Sequence, residues 1–87
     1  MVKVRVEDVR VITVKPRIDK TVYQYVILTT DEYGHSEVFF IDADKYSKEK
    51  FVELVKSKYA SHYRVSPGAF EVEFLVEPPR VEVSKAK

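Results

Sequence analysis

From Val2 to Val14 apolar and polar residues alternate, but the phase of the alternation changes along the way. Val2, Val4 and Val6 hold even positions, Val9 and Val11 odd ones, and Ile12 and Val14 even ones again. Successive side chains of a strand point to opposite faces, so a change of phase demands a bulge, a bend or a break. Glu7-Asp8 is where the first change falls. One long bent strand or two short ones are expected, ended by Pro16. Residues 21–30, TVYQYVILTT, are rich in β-branched and aromatic side chains and predict a second strand. DEYGH follows, where the Asp31 carboxylate can accept from nearby backbone and Gly34 can take positive φ without steric cost. A hairpin into SEVFFID, residues 36–42, is the natural continuation.

The period then shifts from two to 3.6. In residues 46–63, YSKEKFVELVKSKYASHY, the side chains of Phe51, Val52, Leu54, Val55 and Tyr59 share one arc, and Glu49, Lys50, Glu53, Lys56 and Ser57 lie opposite. This is a helix with one face to bury. Asp42, Asp44 and Ser47 are candidate N-caps, and Lys56, Lys58, His62 and Arg64 suit the negative end of the helix dipole. Ser66-Pro67-Gly68 closes the helical region, and residues 69–76, AFEVEFLV, alternate again as a half-buried strand. Pro78-Pro79 interrupts pairing, leaving room for a short fifth strand at residues 80–84. The expected fold is α+β, in the order β-β-β-α-β. An antiparallel three-stranded meander carries one amphipathic helix on one face, and a C-terminal strand returns to the sheet.

The central hairpin is apolar on both sides. In its first strand Val22, Val26 and Leu28 alternate with Tyr23, Tyr25 and Ile27, and in its second Val38 and Phe40 alternate with Phe39 and Ile41. One helix covers one face of a sheet, so the other must be closed by curling, by the terminal strands or by another molecule.

Composition narrows the classes. The chain has 87 residues, enough for one domain (1–87) and one core, and no apolar run approaches the ~18 residues of a bilayer span. Its start alternates charge and valine unlike a signal peptide, so a cytoplasmic protein is expected. Cysteine is absent, which removes disulfides, thiol chemistry and cysteine metal sites. The absence of Asn, a single Gln and 33% charged residues point to a thermophilic source. The net charge of +1 lacks the basic excess of a protein held mainly by phosphates, although residues 1–20 and 47–64 each carry +3.

Motifs for catalysis are lacking, so no enzyme is expected. Gly34 and Gly68 stand alone and form no phosphate loop, and neither Ser36 nor Ser61 lies on a nucleophile turn. His35, near Asp31, Glu32 and Glu37, is one ligand type of a metal site, but coordination needs three or four converging donors, so neither a metal nor another cofactor is expected. His62 reads as a helix-end residue. The run KSKYASHYRV followed by a strand faintly resembles the helix-to-strand segment of the archaeal large-subunit ribosomal protein LX. That resemblance covers under a third of the chain and departs from the family at Ser66-Pro67-Gly68. Near-neutral charge is also unlike an RNA-embedded protein, so no residue role is carried over.

Two partner classes follow. A small non-catalytic nucleic-acid-binding module would stack bases of DNA or RNA on Tyr23, Tyr25 and Phe39 and meet phosphates with Lys3, Arg5, Arg10, Lys15 and Arg17. A protein-interaction or homodimer module would use the same aromatic face, Tyr23, Tyr25, Ile27 and Phe39.

Overall fold

The computed structural model describes residues 1–14 and 22–81. In chain order these form strands β1 (Val2–Val14), β2 (Val22–Asp31) and β3 (Ser36–Asp42), helix α1 (Lys48–Tyr63) and strand β4 (Phe70–Phe74). Short 3-10 turns at Ala43–Lys45 and Pro67–Ala69 flank the helical connection. The sheet order is β3-β2-β1-β4. β1 with β2 and β2 with β3 pair antiparallel, as the meander requires, and β4 lies parallel on the other side of β1. Because β3 and β4 occupy opposite edges, the segment carrying α1 crosses the sheet to connect them. Arg80 and Val81 are not in a strand, and residues 82–84 of the expected fifth strand lie outside the described residues. Among the described residues no helix is long and apolar enough to cross a membrane.

The phase change in β1 is a bulge. Val6 pairs with Thr29 and Asp8 with Leu28, so Glu7 is the extra residue. Its insertion places Val4 and Val6 on the same face as Val9, which an unbroken period of two forbids. The second phase change, at Val11-Ile12, needs no bulge: pairing continues regularly from Tyr25 to Gln24, and Ile12 takes the opposite face at 41% exposure.

β2, apolar on both sides, does not itself choose which side meets the helix. Its neighbours choose. β4 alternates Phe70, Val72 and Phe74 with Glu71 and Glu73, and β1 begins by alternating valine with Lys3 and Arg5. Their registers place Val4 beside Val72 and Asp31, and Val6 beside Phe74 and Thr29. The odd positions of β2 therefore share the face that β1 and β4 must bury. α1 closes it with Phe51, Val55, Tyr59 and Ala60 over Val4, Val6, Tyr25, Ile27, Phe39 and Phe70. Leu54, expected on the buried arc, is 45% exposed at its margin. Phe51 makes edge or tilted ring contacts with Phe39, Tyr46 and Phe74.

This register corrects the aromatic platform expected from sequence. Tyr25, Ile27 and Phe39 keep only 4%, 0% and 7% of their surface, because they form the floor beneath α1. The uncovered side of the hairpin is the even one.

α1 begins at Ser47, whose hydroxyl accepts from the Lys50 N–H. It ends on Arg64 in the left-handed region at φ 58°, before the Ser66-Pro67-Gly68 break.

Candidate functional site

Two features lie outside the core, one on each side of the sheet. The first is the open face. Val26 stands opposite Phe40 and Leu28 opposite Val38 across the β2–β3 ladder, forming an apolar block of four cross-strand neighbours. Val26 and Leu28 are half-buried, while Val38 and Phe40 are 50% and 62% exposed on the edge strand. On the β1 side the block is bordered by Asp8 opposite Leu28 and Arg10 opposite Val26, and Ile12 follows opposite Gln24.

Lys3, Arg5 and Arg10, three of the expected phosphate contacts, lie on this open face. Tyr25 and Phe39 lie on the other, so the sheet itself separates the cations from the rings they were expected to join. Tyr23 is half-buried near the end of the ladder, and Lys15 and Arg17 fall outside the described residues. The cations also have acidic neighbours: Arg5 Nε is 3.5 Å from Glu73 Oε1, Arg10 Nε is 3.3 Å from Asp8 Oδ2, and Lys3 stands opposite Glu71. Pairing of this kind leaves the β1–β4 half of the face close to neutral.

The second feature is polar and lies where the C-terminal end of α1 meets the β2–β3 turn. Four residues of helix advance about 6 Å and two residues of strand about 6.6 Å. Tyr59 and Tyr63 therefore land on Thr29 and Asp31 in step. The Tyr59 hydroxyl lies 2.8 Å from Thr29 Oγ1 and 3.2 Å from the His35 carbonyl oxygen. Tyr63 donates its hydroxyl to Asp31 Oδ2, and Asp31 Oδ1 accepts from the backbone N–H groups of Tyr33 and His35 at 2.9 Å each. Burial raises the Asp31 pKa, but the hydrogen bonds from Tyr63, His35 and Tyr33 outweigh it and hold the carboxyl below its ordinary value. The same bond to Asp31, aided by burial, pushes the Tyr63 phenol up to about 12. Among the described residues no buried side-chain nitrogen or oxygen lacks a hydrogen-bond partner.

The turn so braced presents His35, whose Nε2 is 2.6 Å from Glu37 Oε2. The His62 ring, from the last turn of α1, stacks on His35 with centroids 3.7 Å apart and planes 7° from parallel. The sequence sets His35 near Glu37 but offers nothing that joins His62 to them, and the favoured reading of His62 is a helix-end residue. The spacing that could have joined them, Tyr59 and Tyr63 at one helical turn against Thr29 and Asp31 at one strand repeat, acquires meaning only once helix and strand are docked.

Concavities nearby are small. One of about 190 Å³ lies at the start of α1 between Ile41, Tyr46, Phe51 and Leu54, and one of about 280 Å³ between Val2, Tyr33, Tyr63 and Phe70. Both fall below the ~300–1,000 Å³ of pockets that enclose small-molecule substrates. Comparison with protein families, with curated proteins and with solved structures finds no match to this chain.

Proposed function

We propose that this chain is a small non-catalytic interaction module that pairs with a second copy of itself through the open face of its sheet. The observation that carries this reading is the cross-strand block of Val26, Leu28, Val38 and Phe40, which α1 leaves uncovered. Such a surface is self-complementary: apolar centre meets apolar centre, and burial of it lowers the free energy of the pair by roughly 25 cal/mol per Å² before association costs. Charge does not oppose the pairing, since the chain carries only +1 and acids accompany the cations at the rim. Nucleic-acid binding has less support, because among the described residues the open face offers one aromatic ring, Phe40, and its β1 cations Arg5 and Arg10 lie beside carboxylates.

Sedimentation equilibrium of the full chain from micromolar to millimolar concentration is expected to show a dimer that persists as salt is raised. Phe40→Ser, at a side chain 62% exposed, is expected to shift the equilibrium to monomer and to remove the rise of the unfolding midpoint with protein concentration that a dimer confers. A wild-type chain that stays monomeric at millimolar concentration overturns the reading. Salt-sensitive binding of single-stranded DNA or RNA by that monomer would favour nucleic acid in its place.

A further inference from the structure

We propose that His35, Glu37 and His62 form a binding site for a first-row divalent transition metal of the Zn²⁺ class, on the side of the sheet away from the self-association face. Their ligating atoms all lie within 4.8 Å of one another, although they come from two separate elements. The chain has only two histidines, 27 positions apart, and folding stacks one on the other beside a carboxylate. Two imidazoles and a carboxylate are a donor set that suits zinc and its neighbours, and three protein ligands leave a further position for water.

The geometry requires a modest rearrangement. His35 Nε2 and Glu37 Oε2 already face one another, 2.6 Å apart. Donors held at about 2.1 Å from a tetrahedral ion stand about 3.4 Å apart, so a metal entering between them opens the pair by under about 1 Å. The nitrogen lone pairs of stacked rings lie in separate parallel planes 3.7 Å apart at the centroids, so His62 must swing out of the stack to converge. It is exposed in the last turn of α1, so the swing displaces no core contact.

The other two donors are held more firmly. His35 is fixed at its backbone, where its N–H donates to Asp31 Oδ1 and its carbonyl accepts from the Asp31 N–H at 2.9 Å and from the Tyr59 hydroxyl. Glu37 is anchored in β3, with its side chain 19% exposed. Two fixed donors and one mobile one make a site that closes on the ion.

The test is titration of tag-free full-length chain with Zn²⁺, followed by calorimetry and by the imidazole proton resonances. The expected result is one ion per chain, with both histidine signals shifting together. Visible spectra with Co²⁺ should report a coordination number of four or five. His62→Ala is expected to weaken Zn²⁺ binding by more than the ~10-fold that loss of a ligand's supporting partner costs, and to change the metal-free unfolding midpoint little, since the ring is exposed. Glu37→Gln provides a second variant that retains shape while weakening the carboxylate donor, and Glu53→Gln on the far side of α1 should have no effect. Equal Zn²⁺ affinity in wild type and His62→Ala, or a shift confined to one imidazole, overturns the site. What would then remain is a hydrogen-bonded His35–Glu37 pair capped by a ring.

Discussion

Asp31 shows how much one residue can organise. Its two carboxylate oxygens accept three hydrogen bonds, two from the turn it begins and one from the end of the helix, while only 5% of its surface is exposed. Hydrogen bonds to a charged group contribute about 1.5–3 kcal/mol each, with losses that are not additive, so Asp31→Ala is expected to cost about 2–4 kcal/mol in urea unfolding. The pH dependence has a defined sign. The folded carboxyl titrates below its ordinary 3.8, so its contribution is complete above that value and is lost as pH falls through the lower folded one. Tyr63 works in the opposite sense: its phenol is raised from 10.0 to about 12, so its contribution is complete below 10.0 and lost as pH rises toward 12. Unfolding curves of wild type and Asp31→Asn should diverge at neutral pH and converge at the acid end. The turn-forming role of Asp31 is legible in DEYGH, because an Asx side chain reaches its own backbone within four residues. Its partner Tyr63 lies 32 residues away, and only docking brings it in.

Each secondary element follows from local pattern, and tertiary packing adjusts its faces. β3 occupies the expected residues 36–42, β2 is displaced by one residue, and α1 starts after Ser47, one of the three acceptor-bearing candidates. Helical periodicity places Phe51, Val55 and Tyr59 on the buried arc and Leu54 with them. Leu54 falls at the margin because the sheet is met by the stripe that runs from Phe51 through Val55 to Tyr59, and Ala60 completes it. Phe51 is the anchor of this stripe, 2% exposed and in ring contact with β3, β4 and Tyr46. Phe51→Ala is expected to cost about 3–5 kcal/mol, read from chemical denaturation, because it removes a buried ring and the contacts of three others. Ser47, by contrast, is a local device whose value lies in one backbone N–H.

At the scale of the whole molecule the decisive quantity is register. Glu7 sits at a bulge that lets the valines on either side of it face the same way. Deleting Glu7 joins Val6, Asp8 and Val9 in unbroken alternation with the same residues inward, so ΔGlu7 is expected to fold cooperatively, within about 1 kcal/mol of wild type. Deleting Arg5 instead slips the first part of β1 by one position, turning Lys3 inward and Val4 outward, and ΔArg5 is expected to lose the cooperative transition. Thermal unfolding of the two deletions distinguishes register from mere strand length. Sequence by itself determined the helix and the four strands, their order, the place where the first strand changes phase and the fact that the hairpin is apolar on both sides, since these depend on periods of two and 3.6 within short windows. Which of those sides became floor and which stayed open, where β4 pairs, and that His35 and His62 meet, were decided only by tertiary structure. Both sides of β2 are equally fit for burial, and the choice belongs to the cross-strand registers of its neighbours, which no window of one strand contains.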